Sequence, residues 1–235
     1  MRILAVGCHP DDLEIGCGGT LARYAAEGHT VICCHVANGD MGHVVIEPEP
    51  LGKLRAEEAR EAGRALGVEE VIGLGVGDLQ VDSKNEELVR KVVEVVRYAK
   101  PDAILTHSEN DYMRDHVEVC RLVFNASFSS SIPHYPTASP LHGAICPIYH
   151  MDTLAGLSFI PEEYVDVSGY IEVKLDALNR HQSQIKWMLE HDHIDFLDFV
   201  RTCSKYRGLQ CGVPYAEGFR VCRAWPRVPP RRLLP

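Results

Sequence analysis

The sequence predicts an α/β protein: a Rossmann-like, doubly wound, mostly parallel sheet in a three-layer α/β/α arrangement, with residues 1–235 forming a single domain. Three observations predict it. Short apolar runs alternate with helical patterns over the first half of the chain, the order that gives a parallel sheet covered by helices. The apolar runs are continuous rather than alternating, as expected for strands buried on both faces. A chain of 235 residues, 46% hydrophobic and 24% charged, has the composition of an ordinary globular protein and the length for a full core.

The elements follow in order. RILAVGC (2–8) reads as the first strand and GGTLARYAAEG (18–28) as a helix, with Leu21, Tyr24 and Ala25 on one face and Gly28 as its stop. HTVICCHVA (29–37) is a second strand, and the Gly- and Pro-containing stretch 38–52 a long loop. KLRAEEAREAGRALG (53–67) is a helix ended by Gly67, with Glu57, Glu58 and Glu61 interleaved with Arg60 and Arg64 on its solvent side. VEEVIGLG (68–75) is the third strand. Residues 85–100 form a helix with Leu88, Val92, Val95 and Val96 on one face, DAILTH (102–107) the fourth strand, and about 115–126 the next helix. The Ser- and Pro-rich stretch 127–147 reads as an ordered loop or a cover over the site. Strands are expected at 146–153, 163–168 and 216–225, one long helix at 169–190, and another at 195–208 ended by Gly208. Trp187 and Trp225 read as core or interface residues.

Composition removes several classes. The net charge of −9 argues against a phosphate-backbone binder, so no nucleic acid partner is expected. No apolar run is long enough to span a membrane, and the six apolar residues after Arg2 are too short for a signal peptide. Nine scattered cysteines, none in a CxxC pair, fit reduced thiols in a cytoplasm.

Two polar clusters carry the chemistry. The first is Cys8-His9-Pro10-Asp11-Asp12-Leu13-Glu14, directly after the first strand and so at the ligand-binding edge of a parallel sheet. An imidazole and a carboxylate suit a borderline cation such as zinc. Adjacent carboxylates point apart, so one can hold a metal while the other takes a proton from a water that the metal acidifies. The plainer reading makes these residues caps of the next helix. The second cluster, from Thr106-His107-Ser108 to Asp115-His116, falls at the same edge after the fourth strand. It can complete a catalytic set of two imidazoles and one carboxylate; the plainer reading makes Asp115 a cap and His116 a surface residue. Gly16-Cys17-Gly18-Gly19 lacks the GxGxxG pattern of a dinucleotide loop, and His191-Asp192-His193 reads as a solvated loop.

With CHPDDLE at 8–14 and Met113-Arg114-Asp115-His116 after the fourth strand, the chain resembles the PIG-L/LmbE family of zinc-dependent N-acetyl-sugar deacetylases. The likeness extends to LRAEEA at 54–59, RHQSQ at 180–184 and YRGLQCGVPYAEGFR at 206–220. The resemblance implies His9, Asp12 and His116 as metal ligands, Asp11 as general base, Asp115 as an orienting partner and Arg55 as a substrate-binding arginine. Met113 replaces the first His of the family's HPDH motif, so the resemblance leaves open which group protonates the leaving amine; His107 and Tyr112 are candidates, and the resemblance also brings His181 toward the site. It implies Zn2+ or another divalent metal, a small N-acetylglucosamine-type substrate and a homo-oligomer, by resemblance a hexamer. The alternatives are a zinc amidase acting on another amide, such as a thiol conjugate, and a non-catalytic Rossmann-like nucleotide-binding module.

Overall fold

The computed structural model describes residues 1–227. The strands are β1 (Arg2–Gly7), β2 (Thr30–Ala37), β3 (Glu70–Val76), β4 (Ala103–Thr106), β5 (Ile148–Met151), β6 (Glu163–Asp166) and β7 (Ala216–Val221). The helices are α1 (Asp12–Ala26), α2 (Pro48–Leu66), α3 (Glu86–Ala99), α4 (Arg114–Ser129), α5 (Ile171–Asn179), α6 (Gln182–His191) and α7 (Phe196–Cys211). The strands form one sheet in the order β3-β2-β1-β4-β5-β7-β6. β1 to β5 are parallel, and β7 runs antiparallel to both its neighbours.

Alternation along the strands builds two cores. Leu4 and Val6 of β1 join Ile32, Ile104 and Ile148 beneath Val92 and Val96 of α3 and Val119 and Val123 of α4. Ile3 and Ala5 face the other way and pack with Val31 and Leu105 against Leu13, Cys17 and Leu21 of α1 and Leu66 of α2. Successive side chains of a strand point to opposite faces, so one apolar run feeds both layers.

Several boundaries differ from the sequence expectation. α1 begins at Asp12, so Gly16-Cys17-Gly18-Gly19 lies inside a helix and not in a phosphate-binding loop. Its glycines serve close packing. A Cβ on Gly16 would stand 2.6 Å from Met151 Sδ, and one on Gly19 would stand 2.7 Å from Val167 Cβ. α2 begins at Pro48, because proline in the first turn gives up an amide that has no helical partner anyway. Glu58 is buried and not on the solvent side: it accepts hydrogen bonds from Ser183 N at 2.8 Å and Ser183 Oγ at 2.6 Å. The same contact breaks the expected long helix into α5 and α6, since the Ser183 amide is satisfied by a side chain across the interface. α7 runs past Gly208 and ends at Gly212, which adopts φ 81°. The last strand stops at Val221, and Trp225 is exposed, not core.

The stretch after α4 does not cover the site. The Arg97 guanidinium donates to the carbonyls of Ser130, Ile132 and Tyr135, and His142 contacts the Pro101 carbonyl at 3.1 Å. These contacts pin the loop beside the amino end of β4, opposite the polar clusters. No helix among the described residues is long and apolar enough to cross a membrane.

Candidate metal centre and its surroundings

β1 and β4 are parallel neighbours, paired from Ile3↔Ala103 to Val6↔Thr106, so the segments that follow them meet at one edge. Strand order reverses there, where ligand crevices form in open parallel sheets. The meeting point is Asp12 Oδ2. It accepts the His9 amide at 2.7 Å and lies 3.4 Å from His9 Nδ1, 3.3 Å from His116 Nε2 and 3.3 Å from His107 Nε2. The plainer readings fail on these contacts. Asp11 makes no side-chain cap bond, Met113 and not Asp115 occupies the cap position of α4, and His116 is buried.

Two overlapping groups have donor atoms close enough to share an ion: Cys8, His9 and Asp12, and Asp12, His107 and His116. The three imidazoles are not equivalent. His116 holds Asp111 Oδ2 through Nδ1 at 3.0 Å, while its Nε2 is buried without a hydrogen-bond partner. His9 has Nδ1 toward Asp12 and Nε2 3.7 Å from Asp115 Oδ2 and 3.8 Å from Asp78 Oδ1. Such an arrangement, a carboxylate behind the far nitrogen, fixes ring orientation and tautomer in metal sites. His107 Nε2 already accepts the Cys8 amide at 2.9 Å, so its lone pair is engaged. The expected trio is split between these groups: His9 and His116 each stand beside Asp12, but in different sets, and imidazoles with one carboxylate suit a borderline divalent cation.

The electrostatics follow from this crowding. Burial opposes charge on His116, but Asp12 and Asp111 overcome it and push its pKa up to about 9. His9 is likewise raised against burial by Asp115 and Asp12. Asp12 is held well below the carboxylate range, its burial outweighed by the neighbouring imidazoles. Burial and the His116 charge push His107 down to about 4.

Asp11 stands apart from this set. Its backbone has φ 118°, a left-handed conformation that is strained for a residue with a Cβ. Arg55, buried on α2, holds it there: Nη2 donates to Asp11 Oδ2 at 3.0 Å and also to the Pro10 carbonyl, and Nη1 donates to the Gly39 carbonyl at 3.2 Å. A Cβ on Gly39 would stand 2.3 Å from that guanidinium. Burial raises the Asp11 pKa to about 6, with Arg55 pulling the other way. His181 is fully buried at the α5–α6 break, 3.4 Å from Glu14 Oε2, and its charge also acts on Asp11. The segments LRAEEA, RHQSQ and CHPDDLE thus interlock through Arg55–Asp11, Glu58–Ser183 and Glu14–His181.

Of the residues expected at the site, Tyr112 is the outlier, exposed on the loop before α4. Asp111, Asp78 and Glu14 were not expected. Asp111 lay inside the polar stretch already singled out and Glu14 inside the first motif. Asp78 comes from the end of β3 and accepts the amides of Gly39 and Met41, a role with no local sequence signal.

A buried cluster of imidazoles and carboxylates where the strand order of a doubly wound sheet reverses marks a candidate metal site. The PIG-L family, described as GlcNAc-PI de-N-acetylase, matches residues 4–127, and the chain belongs to it. The diacetylchitobiose deacetylase of Thermococcus kodakarensis is 28% identical over 229 residues, covering 93% of this chain and 82% of that one. Among solved structures, N,N'-diacetylchitobiose deacetylase from Pyrococcus horikoshii, complexed with its inhibitor MPG, superposes with a TM-score of 0.79 at 26% identity over 94% of this chain and 83% of that one. GalB, the 4-carboxy-2-hydroxymuconate hydratase of Pseudomonas putida KT2440, has a TM-score of 0.83 at 21% identity over 99% of this chain and 100% of that one, a likeness of fold alone.

Proposed function

We propose that this protein is a divalent-metal hydrolase that removes the acetyl group from an N-acetylglucosamine-type conjugate. The observation that carries the reading is His116 Nε2: buried, unpartnered, aimed at Asp12 and backed by Asp111 through the other ring nitrogen. His9, Asp12 and His116 would hold the cation, and zinc suits that donor set. When bound, the cation supplies Lewis acidity that polarises an acetamide carbonyl and acidifies a water.

The chain's own residues do the rest. Asp11, not needed for metal binding, accepts the proton from the attacking water and returns it to the departing amine. Arg55 fixes its carboxylate and limits how far burial raises its pKa. Asp111 and Asp115 orient the two ligand imidazoles. His107, kept neutral with Nε2 engaged by Cys8, walls the site rather than donating a proton, and the exposed Tyr112 is left without a catalytic role. His181, held by Glu14, places its charge near Asp11. The relatives' names bring the N-acetyl-sugar substrate to this reading. The whole chain is taken to act as one domain. A homo-oligomer in the cytoplasm belongs to the same reading, and nine unpaired cysteines fit a reducing compartment.

The test is elemental analysis of the purified protein followed by an amine-release assay on N-acetylglucosamine, N,N'-diacetylchitobiose, neutral and acidic N-acetylglucosaminides and a thiol conjugate. We expect about one divalent ion per chain, release from at least one sugar, and loss of release on chelation. A protein that holds no ion and hydrolyses none of these with added zinc would falsify the reading.

A further inference from the structure

The segment YRGLQCGVPYAEGFR (206–220) carries three charged residues, and the fold accounts for two. Arg207 pairs with Asp152, Nε to Oδ2 at 2.5 Å and Nη2 to Oδ1 at 3.1 Å. Glu217 takes the Lys174 ammonium at 2.6 Å and the amides of Gly19 and Thr20. Arg220 is half-buried on β7, opposite His150 of β5, and makes no side-chain hydrogen bond or ion pair among the described residues. It faces a cavity of about 810 Å³ lined by α4, His150 of β5 and the end of β7.

The cavity shares a wall with the metal centre. Ser108, Glu109 and Asn110 line it, and these residues connect His107 to Asp111. His150, also on its wall, contacts the His107 carbonyl through Nδ1 at 2.8 Å. Two other arginines at the lining are already engaged, Arg121 with Glu118 and Arg223 with Glu162. Lys84 adds a second cation without a partner among the described residues. In a chain of net charge −9, cations without partners inside a cavity run against the overall balance. A guanidinium offers a fork of donors matched to carboxylate or phosphate oxygens. Glu109, Asn110 and Asn125 on the same wall suit hydroxyl groups.

We propose that this cavity is a subsite for a small hydroxylated carboxylate or phosphate, anchored by Arg220. The anion is either the far end of an acidic N-acetylglucosaminide, in which case the proposal rests on the deacetylase reading, or a free metabolite bound against the loop that carries His107 and Asp111.

The test uses the protein as purified, with malate and inorganic phosphate as calorimetric probes. We expect Arg220→Gln to weaken binding of one of them about tenfold, the worth of one charge-assisted hydrogen bond. Arg220→Lys keeps part of the affinity, and Lys84→Gln, at an exposed position, gives a smaller loss in a variant with no folding burden. Thermal melts should match wild type, since Arg220 makes no internal bond. KM for a neutral and an acidic N-acetylglucosaminide separates the sources. A rise in Arg220→Gln confined to the acidic substrate assigns the anion to the substrate, and weakened probe binding with both KM values unchanged assigns it to a free metabolite. If neither probe binds, or both bind the Arg220→Gln variant as well as wild type, and the KM values do not move, the proposal is overturned. Absence of hydrolysis of every N-acetyl sugar would sink the deacetylase reading alone, because probe binding still decides the subsite.

Discussion

At the carboxyl ends of β1 and β4 buried ionisable groups keep open lone pairs, whereas the Lys174–Glu217 pair beneath α1 is closed off completely. Lys174 donates to Glu217 Oε1 at 2.6 Å and to the Ile15 carbonyl at 2.8 Å, and the Glu217 oxygens also take the Gly19 and Thr20 amides. That ion pair ties α5 and β7 to α1, and each of its charged atoms is paired. At the candidate metal centre, His116 Nε2 and Asp115 Oδ1 are equally buried and have no hydrogen-bond partner. An unpaired buried polar atom is costly, and His116 Nε2 and Asp115 Oδ1 share that state with Glu14 Oε2 and both His181 ring nitrogens. The closed pair ties α5 and β7 to α1, and the open set is where the cation is proposed to bind.

The comparison breaks most sharply at Asp11. Asp11→Asn keeps the shape of the site but removes the base, so amine release should fall by about 10²- to 10⁴-fold, with metal content and melting temperature near wild type. Near-full turnover in that variant would remove Asp11 from the mechanism. The closed pair should behave in the opposite way. Lys174→Ala leaves Glu217 buried and uncompensated, a loss of about 3–5 kcal/mol, measurable by urea denaturation. At a temperature where the variant is still folded, its metal content should be one ion per chain. A variant as stable as wild type would mean that Glu217 is satisfied by α1 alone.

Asp111 lies between these extremes. Asp111→Asn leaves the three proposed ligands in place but loosens the His116 ring, and support of this kind is worth about 10- to 100-fold in metal affinity. Competition with a chromophoric chelator measures it. Unchanged affinity would mean that the Asp111 charge does not support the His116 ring in metal binding.

The two regions were also unequally legible in the sequence. β1 to β4 and their helices follow from apolar runs and helical spacing, because each element buries a regular face. The meeting of the His9–Asp12 and His107–His116 segments was legible because both follow neighbouring parallel strands, where the topology fixes their position. The C-terminal half is held by pairings across long stretches of chain, and such pairings leave no local pattern. Glu58 looked solvated because its neighbours Glu57 and Glu61 are, and only the packing of α6 reveals its partner. The break before α6 was hidden for the same reason. Asp78 reaches the site from β3 through backbone amides, which no residue type announces.

The smallest effect is a shift in pH dependence, and it tests whether Arg55 belongs with the open set. The Asp11 carboxyl is pushed up to about 6 by burial and drawn down by Arg55. A base must be ionised, so kcat/KM should rise with pH through an acidic limb at or below about pH 6, because a bound cation adds to the pull of Arg55. Removing the guanidinium leaves burial less opposed, so the folded-state pKa rises and the limb moves upward. For Arg55→Gln we expect a displacement of about 1 pH unit, read from kcat/KM profiles in which metal saturation is verified at each pH. Loss of a substrate contact alone would raise KM and leave the limb where it was. A limb that moves upward together with a raised KM gives Arg55 both tasks, holding the base and meeting the substrate.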